Sequence, residues 1–206
     1  VFDDLRTLNV KQVYKGGKLV AENGKMLHQK EKNTDWSTEI KERVFHSFHR
    51  VPITVEELQL KETTGTYQRV IDMVAHELIT KERIEEWKEL PGVAPGVDIS
   101  RDIVKLAAIE RHKNTGHVGL GFLGKYGLKK GAVATSIGHD SHNLVIAGVT
   151  DEDMVLAGNR VIENGGGLAI ALEGKVLADL PLPIGGLMAD EPVEVVDEKL
   201  EHMKKL

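Results

Sequence analysis

At 206 residues the chain can bury a sizeable core, as one large domain or as one domain with a smaller appendage. Its 41% hydrophobic and 29% charged residues are ordinary for a globular protein, and no apolar run approaches the roughly 20 residues a membrane-spanning helix needs. A net charge of −5 without a sustained basic stripe argues against nucleic acid. The absence of cysteine excludes disulfides, thiolate metal sites and thiol nucleophiles, which fits a reducing, cytoplasmic setting.

The chain opens at Val1 with no basic segment leading into an apolar one. No signal peptide is expected, and the sequence reads as the C-terminal part of something longer. Across residues 1–28, short β-prone runs (Val10–Tyr14, Leu19–Ala21) alternate with Gly-containing turns, which predicts a hairpin piece too small to stand alone. The polar stretch 29–44 predicts a linker with at most one short helical turn. A new block, 45–206, follows. Arg50–Leu60 and Gly65–Ala75 carry β-branched residues in partial alternation and predict strand, turn, strand about Thr63-Thr-Gly65. Helical propensity rises over Ile79–Glu89, although Ile84, Trp87 and Leu90 make only a thin apolar face, and Pro91–Gly96 predicts a loop.

The second half is more sharply patterned. Ile103–Arg111 and His117–Phe122 predict an antiparallel pair about the Asn114-Thr-Gly116 turn. Ala132–Ile137 and Asn143–Val149 predict two further strands. Thr150-Asp-Glu-Asp153 has the form of a helix start, so a helix to about Glu163 is expected, ended by Gly165-Gly-Gly167. Leu168–Leu172 and Val176–Leu180 predict a hairpin. A last helix begins near Asp190, with Val193, Val196, Leu200 and Met203 as one apolar stripe. The fold class expected is α+β, with mixed or antiparallel sheets and a few packed helices.

Between the strands Ala132–Ile137 and Asn143–Val149 lies His139-Asp140-Ser141-His142-Asn143, poor material for a core and good material for a site. Three readings stand side by side. His139, Asp140 and His142 could converge on a divalent metal; one imidazole with Asp140 could form a general-base pair or touch a ligand; or Asp140, Ser141 and Asn143 could simply bond their own backbone in a turn. Glu110, Arg111 and His112 form a second polar cluster. They are either a solvated strand end or partners of the His139 loop at one end of a shared sheet. His46 and His49 read as ordinary histidines. Gly119-Leu-Gly121-Phe-Leu-Gly124 satisfies G-x-G-x-x-G but lies inside a predicted strand, where glycine marks close packing or a bulge rather than a dinucleotide turn.

Together, Ile109–Phe122, Ser136–Asn143, Asp151–Met154, Gly165–Gly167 and Leu180–Met188 closely resemble the C-terminal region of the adenine deaminases of the amidohydrolase superfamily. The resemblance covers essentially the whole chain. It implies that residues 1–28 close a β-sandwich flanking a catalytic barrel, and that 45–206 form the extra C-terminal domain. It further implies a hydrolysis of adenine to hypoxanthine and ammonia by metal-activated water in purine salvage, the divalent ion, Mn or Fe, being held in the barrel. No His-x-His pair, the family's first barrel ligands, occurs in this chain. The fragment alone is therefore expected to be inactive, with adenine and the barrel as partners of the intact enzyme. Two other readings are a structural or homo-oligomerising module and an independent metal-binding domain built on the His139–His142 loop.

Overall fold

The computed structural model describes residues 1–27, 36–60 and 65–206. They divide into two units, Val1–Thr38 and Glu39–Leu206. In the first, β1 (Gln12–Lys15), β2 (Lys18–Glu22) and β3 (Lys25–Met26) form a three-stranded antiparallel sheet. The sequence predicts this piece because its Gly-containing turns supply the left-handed backbone that tight hairpins require, here at Gly16, Gly17, Asn23 and Gly24. Phe2, Leu5, Val13 and Tyr14 stay exposed, as expected of a sheet too small to enclose a core.

Residues 29–35 of the predicted linker lie outside the described residues. Beyond it Thr38–Phe45 forms a helix, α1, of eight residues rather than a single turn. In the second unit, eight strands form one mixed sheet. They are β4 (Tyr67–Met73), β5 (Thr80–Glu86), β6 (Ile103–Ile109), β7 (Val118–Gly124), β8 (Ala132–Thr135), β9 (Leu144–Gly148), β10 (Gly167–Leu172) and β11 (Lys175–Pro181). Their order is β11-β10-β8-β9-β6-β7-β4-β5, and neighbours are antiparallel except β7 and β4. With its helices this is the α+β class expected.

The core follows the alternation of the strands. Ala132, Ala134, Leu144, Ile146, Ala169 and Ala171 meet Met154, Ala157 and Val161 of helix α3 (Asp151–Glu163). The small strand residues let the helix come close. Thr150 caps it by accepting the Asp153 N–H, with acidic Asp151, Glu152 and Asp153 in the first turn where the helix dipole favours negative charge. The alternate residues Leu168 and Ile170, with Leu180, pack against Val196, Leu200 and Met203 of α4 (Val193–Met203). Val193 departs from the predicted stripe and is 73% exposed.

One expectation is corrected, and one segment open in the sequence is decided. Arg50–Leu60 is not a strand: Val55–Leu58 makes a one-turn helix, α2, whose capping box is Thr54-Val-Glu-Glu57, with the Glu57 carboxylate accepting the Thr54 N–H at 3.0 Å. The capping box outweighs the β-branched residues. The segment Ile79–Glu89, open in the sequence, is strand over Thr80–Glu86, because a seven-pair register with β4 and the cross-strand ion pairs Arg83–Asp72 (2.9 Å) and Arg69–Glu82 (3.1 Å) override a weak helical propensity. The predicted turn at residues 63–64 lies outside the described residues.

Candidate functional site

Adjacent strands β6 and β9 are in register at Ile109↔Leu144, so the segment after β6 and the loop before β9 emerge at the same end of the sheet. The two polar clusters singled out in the sequence are brought together there. Arg111 Nε donates to the His142 carbonyl at 2.6 Å. His112 Nε2 donates to the Ser141 carbonyl at 2.8 Å, which requires its hydrogen on that nitrogen.

Arg111 is the anchor of this end of the sheet. It is 2% exposed and has no carboxylate partner among the described residues. Its guanidinium instead donates to the carbonyls of His142, Ser47 (3.4 Å) and Gly185 (3.1 Å), and lies 4.9 Å from the centre of the Phe48 ring. Burial pushes its pKa below the usual arginine value. The His49 N–H donates to the Arg111 carbonyl at 2.7 Å, so the 47–49 segment belongs to the site through its backbone, while the His46 and His49 rings are exposed.

Glu110 shapes the turn that follows. Its carboxylate accepts the N–H groups of Thr115, Lys113 and His112 together with the Thr115 hydroxyl. Those bonds, the Thr115 N–H foremost, hold its pKa down at about 2.

On the loop itself, His139 Nδ1 donates to Asp140 Oδ1 at 2.7 Å, across a chain stretch that includes a cis His139–Asp140 peptide. Both side chains are open to solvent, 83% and 99% exposed. The carboxylate thus fixes the tautomer and leaves Nε2 free to take a proton or meet a ligand presented from outside. The His142 ring centre lies 5.2 Å from that of His139, and its Nδ1 is buried without a partner. Ser141 is exposed, and Asn143 is half-buried at the entry to β9. Among the described residues no three His, Asp or Glu side chains are grouped so as to hold an ion.

A third set of residues completes the site without having been predicted as part of it. The buried Ser136 hydroxyl accepts the Gly167 N–H at 2.8 Å and donates to the Gly186 carbonyl at 2.5 Å. A Cβ at Gly186 would stand 2.7 Å from the Arg111 guanidinium, so glycine there is a packing requirement. The only sequence signals were the paired glycines themselves.

The fold and site therefore define an α+β domain whose sheet presents an exposed imidazole–carboxylate pair at one end, on a loop tied down by Arg111 and His112. The chain belongs to the adenine deaminase C-terminal domain family, whose pattern it matches over residues 77–206. Similar proteins include the adenine deaminase of Lysinibacillus sphaericus (strain C3-41), 41% identical over 96% of this chain and 33% of that protein. Adenine deaminase 2 of Carboxydothermus hydrogenoformans is 40% identical over 100% of this chain and 35% of its own length. The adenine deaminase of Oleidesulfovibrio alaskensis is 42% identical over 95% and 32%. The chain spans about a third of the length of the curated relatives it matches.

Proposed function

We propose that this chain is the C-terminal part of an adenine deaminase, an enzyme converting adenine and water to hypoxanthine and ammonia in cytoplasmic purine salvage. The observation that carries this is the family match together with 40% identity to an adenine deaminase across the entire chain. A divalent metal, Mn or Fe, would supply the activated water in the catalytic domain. The described residues of this chain do not fit such an ion, so no step of that chemistry is assigned to them.

In this reading residues 1–28 close the β-sandwich that flanks the catalytic barrel, 29–44 link, and 45–206 form the C-terminal domain. The exposed Phe2, Leu5, Val13 and Tyr14 support the first assignment, because a sheet with uncovered apolar residues and no core gains by packing on another. The braced His139–Asn143 loop, with Glu110, Arg111 and His112 beneath it, serves as a supporting site that faces the catalytic mouth or a neighbouring subunit. The test is an adenine turnover assay with Mn or Fe added. The 206-residue chain should release no ammonia, and metal-dependent turnover by the chain alone would refute the assignment.

A further inference from the structure

One face of the large sheet lies under α3, with Ala107 and Ile109 of β6 in that core. Ala108, between them, points to the other face. There the registers set a row across neighbouring strands close to the His139 end: Thr135 of β8, Val145 of β9, Ala108 of β6 and Gly119 of β7. The next row inward on that face includes Ala147, Leu106 and Gly121. Val97 and Leu128 share a cluster with Leu106 and Ala147 farther along, and α4 packs on Leu168 and Ile170 to one side. Among the described residues neither group closes over the outer row, and Ala108 and Gly119 stay exposed.

Two observations call for an occupant. Gly119 and Gly121 have backbones that are not left-handed; a Cβ at Gly121 would meet nothing within 4 Å, and one at Gly119 only the Ala108 carbonyl at 3.8 Å. Glycine weakens a strand and often marks where another backbone comes close, yet among the described residues none does so here. On the opposite face the same device is seen filled, since Ala132, Ala134, Ala169 and Ala171 make the low floor on which α3 lies. The bare row is also bordered by exposed apolar side chains, Ile137 at 45% beside the His139 loop and Ile71 at 42% on this face of β4.

The size of the row selects the occupant. Four adjacent strands span roughly 15 Å and a helix is about 10 Å across, so the row takes one helix. A second copy of the chain would need about 800 Å² per partner for stable association, more than so narrow a strip offers. About two-thirds of each curated relative lies outside the matched stretch. A segment tethered in the same polypeptide acts at an effective concentration in the millimolar range, which lets a small contact hold.

We propose, building on the adenine deaminase reading above, that this row seats an apolar helix from the catalytic two-thirds of the intact enzyme, laid across Val145, Ala108 and Gly119. Docking there sets the catalytic part alongside the loop that Arg111 and His112 tie down.

The chain has no cysteine, so single cysteines report access to this face. Ala108→Cys and, as a second probe on the same row, Gly119→Cys are labelled with iodoacetamide in the 206-residue chain and in the full-length enzyme, with rates read by peptide mass spectrometry. Glu152→Cys, exposed on α3 across the sheet, is the control. Both row positions should label at least about tenfold more slowly in the full-length enzyme than in the chain, with the control equal in the two. Gly121→Val places a branched side chain in space that is open in the chain, so the chain should stay folded by circular dichroism. In the full-length enzyme the same change should block docking and restore the chain's faster labelling of Ala108→Cys. Equal row labelling in chain and enzyme overturns the proposal, as does undiminished protection in a folded Gly121→Val enzyme. Protection already present in the chain, rising with its concentration and accompanied by a dimer on size exclusion, gives the face to a second copy and also overturns it. Adenine turnover by the same enzyme separates the two readings. Turnover with an unprotected row removes the docking surface alone, whereas protection without turnover upholds the surface and removes the adenine assignment.

Discussion

Arg111 and His142 are joined by a 2.6 Å hydrogen bond from a buried guanidinium to a loop carbonyl, fastening the segment after β6 to the loop between β8 and β9. The same side chain reaches Ser47 and Gly185, so one cation organises three segments distant in sequence. Replacing it with alanine leaves buried carbonyls unpaired and a void behind Phe48. We expect Arg111→Ala to cost about 3 kcal/mol or more, read as a fall in urea midpoint. Arg111→Lys should recover little, since a point charge cannot reproduce a fork donating to separate acceptors. Full recovery by lysine would contradict the hub.

Gly186 and Gly174 separate strain from crowding. Both have left-handed backbones, with φ of +74° and +75°, but a Cβ at Gly186 meets the Arg111 guanidinium at 2.7 Å whereas one at Gly174 meets nothing. Gly174→Ala should cost only the conformational penalty of about 1 kcal/mol. Gly186→Ala should cost clearly more, since the guanidinium is already tied to carbonyls and cannot yield. Thermal melts of the two variants side by side provide the measurement, and equal shifts would mean that the close approach is immaterial.

His139 and Asp140 are too exposed to hold the fold, at 83% and 99%. In a full-length enzyme carrying this domain, His139→Ala and His142→Ala should reduce adenine kcat/KM by about tenfold or more, the scale of a lost positioning or proton-transfer contact. For His139→Ala the melting temperature should stay within about 1 °C, as for other surface substitutions. Unchanged kinetics in both variants would remove the loop from the functional site.

Acid should loosen the β5 edge through Asp98. Its carboxylate accepts the Ser100 hydroxyl at 2.5 Å and Arg101 Nε at 2.7 Å, and these bonds, the Ser100 one first, lower its pKa from 3.8 to about 2. Because the folded pKa is the lower one, the stabilisation is complete above the unfolded value of 3.8 and is lost as pH falls through about 2. Asp98→Asn should therefore be less stable at pH 7 by about 1–3 kcal/mol. Its stability should also change less than that of the parent between pH 4 and pH 2, as denaturant titrations across that range would show.

How far the sequence reached can be seen residue by residue. The Thr150 cap, the apolar run at Ile103–Ile109 and the three glycines at 165–167 are local signals, and the elements they predict are present. Val55–Leu58 went the other way and Thr80–Glu86 was open, because the signals there were balanced: a capping box against β-branched residues in one, weak helix propensity against a hairpin partner in the other. The proximity of Glu110, Arg111 and His112 to the His139 loop was open in the sequence and is decided by the β6–β9 register. Ser136, Phe48 and Gly186 carried no local mark of their role, since a serine, a phenylalanine and a glycine are compatible with many environments.

The sequence by itself determined the kind of molecule this is: an α+β domain with its main strands and helices in place and a family written in several ordered motifs, because periodicity, caps and turn residues act over a few positions. Only the tertiary structure decided that Arg111 is a buried hub rather than a solvated charge, that His139 and Asp140 stand exposed to solvent, and that β4 and β7 part to leave a pocket beside Gly121. Each of these depends on which strands become neighbours. That is settled by long-range packing of apolar faces, and residues such as Arg111 and Gly186, 75 positions apart in the chain, acquire their roles only once that packing is complete.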